Sequence, residues 1–126
     1  MQLQNTLKEG VEMSKGLSYE YTGTKGHIIS VASSLPTDPQ ELLYSGWEDI
    51  SYPSAKEAGH MTLQESDTGL RIRFDKGKDG EPGFKGMNHY HILNPDATGN
   101  SDLYLDKNGN PVKAHSNQSH ILPKGE

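Results

Sequence analysis

The sequence contains no cysteine, which removes disulfides, thiolate metal sites and a cysteine nucleophile together. It also lacks any run near the roughly 18 apolar residues that a membrane-spanning helix needs. The opening segment, MQLQNTLKEGVEMSKG, has neither a basic n-region nor an apolar h-region, so no signal peptide is expected in it. Large apolar side chains are scarce: Leu, Ile, Val and Phe supply 23 of 126 residues, 18%. That lies just below the ~20% at which disorder becomes a live reading, but disorder also calls for high net charge. Here 12 basic residues face 17 acidic ones, a net of only −5. The composition describes one domain over residues 1–126, loop-rich and with a small core. Gly and Pro total 21 residues, so many turns are expected.

Several catalytic signatures are absent as well. There is no P-loop, no G-x-G-x-x-G, no H-E-x-x-H and no G-x-S-x-G elbow. Asp106 to Asn110 resembles part of a calcium loop without its closing Glu, and reads as a turn. Acidity of the whole chain argues against indiscriminate nucleic-acid binding, which needs clustered positive charge. Charge is uneven, however. Five of the six histidines follow residue 59, and the stretch from Arg71 to His91 holds five basic residues against three acidic ones.

The periodicities predict an opening helix followed by hairpins. Leu3, Leu7 and Val11 form one helical stripe that Gly16 ends. Leu17, Tyr19 and Tyr21 alternate as a strand, Gly23–Gly26 reads as a turn, and His27–Val31 as the returning strand. Asp38 caps a short helix starting at Pro39, with Glu41 placed as in a capping box and Gly46 as the stop. Trp47 is expected as a core anchor. Residues 60–65 and 70–75 flank the turn Ser66–Gly69 and predict a hairpin. Leu70, Ile72 and Phe74 point one way along its second strand, Arg71 and Arg73 the other. A strand over 88–93 ends at Asn94-Pro95, and 102–106 turns at Asn108-Gly109, the strongest short hairpin signal.

Residues able to do chemistry concentrate between 71 and 120. His89 and His91 stand at i and i+2, so a strand puts both imidazoles on one face. Two chemistries fit such a pair. It can chelate Zn²⁺, with a third ligand from His120, Asp102 or Asp106. It can also take and give the protons needed when an RNA 2′-hydroxyl attacks its own phosphodiester, because the unperturbed histidine pKa lies near neutrality. A plain wet sheet face is the bland alternative. Arg71 and Arg73 share one face of the neighbouring predicted strand, where guanidinium groups suit phosphate oxygens, unless they are only edge-strand charge. Lys85 lies just before the His strand, where it could neutralise a pentacoordinate transition state, unless it is plain surface as a lone lysine in a glycine-rich loop. Ser119-His120 is no triad.

Gly46-Trp47-Glu48-Asp49-Ile50, Thr68 to Gly77, His89-Tyr90-His91, Asn94-Pro95, Thr98-Gly99, Asp102 to Pro111 and Ser119-His120-Ile121 together carry a resemblance. Residues 46–123 resemble the extreme carboxy-terminal toxin domains of bacterial polymorphic toxins of the contact-dependent inhibition, Rhs and LXG types. Residues 1–45 match nothing specific and are a candidate entry segment. Asn88 stands where the family commonly has an acidic residue, which speaks against a base there. The resemblance implies a toxic nuclease, most often a ribonuclease. It would be part of a larger exported or cell-surface protein, act in the cytoplasm of a target bacterium and be held in check by a cognate immunity protein. It further implies an α+β fold, with amino-terminal helix or helices on a small twisted antiparallel sheet, like barnase-type RNases.

The resulting expectation is a metal-independent ribonuclease without a cofactor, acting on RNA, tRNA foremost. A host carrier would present the RNA to this acidic chain. His89 or His91 takes the 2′-hydroxyl proton, and His120 or the other member of the pair protonates the leaving 5′-oxygen. Arg71, Arg73 and Lys85 hold the phosphate, Tyr104 stacks on a base, and Asn94 joins the substrate-binding set. Alanine at any of the three histidines is expected to cost less than ~0.5 kcal/mol, as at surface positions. The rivals are a metal-dependent nuclease using the same pair and a non-enzymatic binding or inhibitor module.

Overall fold

The computed structural model describes residues 18–125; the helix expected over Leu3–Val11 lies outside them. Six antiparallel strands follow one another as a meander. They are β1 (Trp47–Asp49), β2 (His60–Glu65), β3 (Arg71–Asp75), β4 (His89–Leu93), β5 (Tyr104–Leu105) and β6 (Pro111–Val112), in that spatial order. Ahead of them runs helix α1 (Lys25–Ser34), and a short helix α2 (Pro53–Glu57) links β1 to β2. The class is α+β with a small antiparallel sheet. No helix among the described residues is long and apolar enough to cross a membrane.

Helix α1 corrects the strand expected over His27–Val31. Thr24 caps it, its hydroxyl accepting from His27 N at 3.0 Å. Ile28, Val31, Ala32 and Leu35 are buried, a spacing of three and four that puts them on one helical stripe. The apparent alternation would have buried Ile29, which is exposed. Residues 18–22 form no strand either. Tyr19 instead bridges two strands, donating its hydroxyl to Leu93 O (2.7 Å) and accepting from Arg71 N (3.1 Å). The helix expected after Asp38 is a 3-10 helix, Pro39–Tyr44, in which Asp38 caps Gln40 N (3.0 Å); Glu41 sits in its first turn.

Strand register sorts the side chains. Leu63, Ile72, Ile92 and Leu105 align across β2 to β5, and Met61, Phe74 and Tyr90 form the adjacent row. These residues pack with Ile28, Val31, Leu35, Leu42 and Trp47 into one apolar core. Each fully buried Leu or Ile contributes about 1.5–3 kcal/mol of apolar transfer. The pleat therefore turns the other row outward: Thr62–Arg73–His91 and, beside it, His60–Asp75–His89. β3 is an inner strand, so its arginines are not edge-strand charge.

Candidate functional site

The carboxy-terminal segment completes the polar face. Tyr90 and Ile121 form an isolated antiparallel bridge, each N–H donating to the other's carbonyl at 2.8 Å. Ile121 points into the core. Its neighbour His120 must then project from the opposite side, over His89 and His91. The three imidazole centroids lie 4.8–4.9 Å apart.

Each ring is oriented by a main-chain carbonyl. His89 Nδ1 donates to Met87 O (2.9 Å), His91 Nδ1 to Ser119 O (2.9 Å) and His120 Nδ1 to Ser116 O (2.8 Å). A carbonyl only accepts, so Nδ1 carries the proton; Nε2 of His89 and of His91 then faces Asp75, and Nε2 of His120 is left open. Phe84 stacks on His120 at 4.3 Å, and Tyr104 on His91 at 4.5 Å.

Asp75 holds the group together. Arg73 grips both its oxygens at 2.9 and 2.8 Å, and His60 Nδ1 lies 2.7 Å from Oδ1. Oδ2 is 3.4 Å from His89 Nε2 and 3.5 Å from His91 Nε2. Burial opposes ionisation of Asp75, but its contacts with His89, His91 and Arg73 outweigh that and hold the carboxyl well below the usual carboxylate range. The histidines split. His89 is lowered by burial and raised more by Asp75 and the Met87 carbonyl, so its pKa lies above the ordinary value. Burial wins at His91, where Arg73 adds to it, and at His120, where His89 does; both lie below the ordinary value. Opposite displacements within one cluster provide a proton donor beside proton acceptors.

A cleft of about 470 Å³ opens over the cluster, with Arg73, Lys85, His89, His91, His115 and His120 among its walls. No family model, curated protein or solved structure matches this chain. The geometry alone therefore speaks for the site.

Of the residues singled out in the sequence, His89, His91, His120, Arg73 and Lys85 meet here. Arg71 does not. It lies on the same face, but its Nε donates to Gln64 (2.7 Å) and its guanidinium covers the Tyr19 ring. Asn94 is a buried turn clamp, donating to Asp102 O and accepting from Asp96 N, so it is removed from the substrate-binding set. Tyr104 reaches the cleft, but its ring is buried, with one face stacked on His91 and the Arg73 guanidinium 5.8 Å from its centroid. Asp102 and Asp106 cap their own turns and do not join the cluster. Ser119 is fully buried and donates to Ser116 O. Asn88, through Oδ1, accepts from Gly77 N (2.7 Å) and so pins the connector between β3 and β4. His89 and His91 are buried, so alanine there cannot be as harmless as a surface change.

Sequence reading missed Asp75, His60, Phe84 and His115. For Asp75 the signal was present: it follows Arg73 by two positions on the same strand. His115, exposed at the cleft wall, has a left-handed backbone (φ 69°).

Proposed function

We propose that this chain is a nuclease toxin domain that cleaves RNA by histidine acid–base catalysis without a metal. The observation that carries this reading is the convergence of three backbone-oriented imidazoles with Arg73 and Lys85 in one cleft. His120, the more exposed of the two histidines with lowered pKa, accepts the 2′-hydroxyl proton through Nε2. The resulting oxygen attacks the phosphorus. His89, whose pKa is raised, gives its Nε2 proton to the departing 5′-oxygen. Arg73 and Lys85 neutralise the pentacoordinate phosphorane, and the products are a 2′,3′-cyclic phosphate and a free 5′-hydroxyl. Asp75 fixes Arg73 and sustains the charge on His89. tRNA as substrate, delivery from a larger exported protein into a target cell, a cognate immunity protein, an RNA-presenting carrier and kinship with barnase-type RNases all belong to this proposal. They draw on the resemblance of residues 46–123.

The test is incubation of total RNA and tRNA with the protein in excess EDTA, with end mapping of the products. Cleavage leaving 2′,3′-cyclic phosphates and lost in His120→Ala supports the reading. RNA left intact with and without cell extract overturns it.

One observation favours a second reading. The ligating atoms of His89, His91 and His120 lie within 4.8 Å of one another, and carbonyl-bound Nδ1 atoms are the usual outer support of metal-bound histidine. Stoichiometric zinc together with activity abolished by chelator would establish a metal-dependent nuclease instead.

A further inference from the structure

Next to the cleft lies a second depression of about 280 Å³, whose walls include His60, Lys76, Lys78, Glu81, Lys85 and His89. Lys85, Glu81, Asp75 and His89 border both cavities, so the two are continuous across the edge of the catalytic cluster. The smaller one is basic. Lys76, Lys78 and Lys85 line it, and among the described residues no hydrogen bond or ion pair engages any of the three ammonium groups. Lys56 and Lys25, by contrast, are matched with Asp49 and Asn110. Asp75 offers the lysines no compensation, because Arg73 and His60 already hold both its oxygens. Glu81 also lines the depression, but three ammonium groups against that one carboxylate leave a surplus of positive charge, which suits an anion even in a chain of net charge −5.

The lysines are also held in place. Lys78 N donates to Lys85 O (2.8 Å), Glu81 N to Lys78 O (3.2 Å) and Lys76 N to Gly59 O (2.9 Å). Gly77 and Gly86 lie backbone against backbone: a Cβ on Gly77 would stand 2.7 Å from Gly86 C, and one on Gly86 2.1 Å from Glu81 O. Only glycine allows that approach. The glycine-rich connector is thus a closed loop that presents Lys78 and Lys85 from opposite arms.

From this continuity of cavities and charge we infer that the depression is a second phosphate subsite. It receives the non-scissile phosphodiester adjoining the one cleaved. The substrate is then a polynucleotide engaged through at least two consecutive phosphates, and the enzyme an endonuclease that turns over single-linkage fragments poorly. This rests on the RNA-cleavage reading above.

The experiment compares wild type with Lys76→Ala/Lys78→Ala, two exposed positions outside the catalytic cleft. Substrates are a dinucleoside monophosphate, an RNA tetranucleotide, and tetranucleotides with one uncharged methylphosphonate on either side of the scissile bond. The expected result is a fall of roughly tenfold in kcat/KM on the charged tetranucleotide, mainly through KM, with the single-linkage substrate unaffected. In wild type one of the two uncharged linkages reproduces that fall, and in the double variant it adds nothing. An equal loss on short and long substrates, or wild-type indifference to both uncharged linkages, overturns the subsite. A separate arm measures anisotropy of a 2′-deoxy tetranucleotide, which lacks the attacking hydroxyl. The variant should bind more weakly, with a salt slope smaller by about 0.7 for each phosphate that is no longer neutralised. If no RNA is cleaved, the cleavage reading falls, and this binding arm decides the subsite by itself: unchanged affinity and slope overturn it.

Discussion

Asp75→Asn isolates what the buried carboxylate does, since it keeps the shape and removes the charge. The Asp75 side chain is 11% exposed and faces Arg73, His60, His89 and His91. Breaking a buried ion pair from one side costs about 3–5 kcal/mol. Arg73 is 37% exposed and regains part of its hydration, so about 2 kcal/mol is expected. For a domain of this size that is a fall in Tm of about 6–10 °C. The pH dependence has two limbs. Asp75, with a lowered pKa, contributes stability above the ordinary carboxylate range and loses it as pH falls through its depressed value. His89, with a raised pKa, contributes below the ordinary histidine value and loses it as pH rises through its elevated one. The gap between wild type and variant is therefore widest at about pH 4–6.5 and narrower at about pH 8.5. Thermal unfolding followed by circular dichroism at about pH 5.5 and 8.5 measures it. A Tm difference under about 2 °C, or one larger at the higher pH, would refute the assignment of Asp75 as the electrostatic centre.

Cleavage rate against pH should be bell-shaped: the rising limb, from His120 losing its proton, lies below the ordinary histidine pKa, and the falling limb, from His89, above it. A monotonic profile contradicts the paired roles. His91→Ala should destabilise by about 2 kcal/mol in chemical denaturation, because it opens a cavity and strands the buried Ser119 carbonyl, whereas His120→Ala should cost clearly less. Equal costs would show that His91 is not held as described. Gly86→Ala must displace the Glu81 carbonyl, so a loss of about 1–3 kcal/mol and reduced activity on long RNA are expected, and a neutral outcome would mean that the connector is not closed.

Much of the sheet is legible in the sequence because its signals are local. Alternation in residues 60–65 and 70–75, the Ser66–Gly69 turn and Asn108-Gly109 each act within a few residues, and hairpin and strand faces follow from them. Two strands carrying i, i+2 pairs also put Arg73 and His91 on a common face once they pair. Helix α1 escapes such reading because Ile28-Ile29 favours strands locally, while the burial of Ile28, Val31, Ala32 and Leu35 against the sheet decides for helix. Asp75 is inconspicuous until register sets it across from His89, and Arg71 is available to a ligand until Gln64 and Tyr19 engage it. His120 reaches the cluster through the bridge of its neighbour Ile121 to Tyr90 and the hydrogen bond from His91 to Ser119 O, both to residues far earlier in the chain. Periodicity thus determined which side chains share a strand face. Which faces meet, and which polar groups are already satisfied there, depends on pairings between residues far apart in sequence, and only tertiary packing decided that.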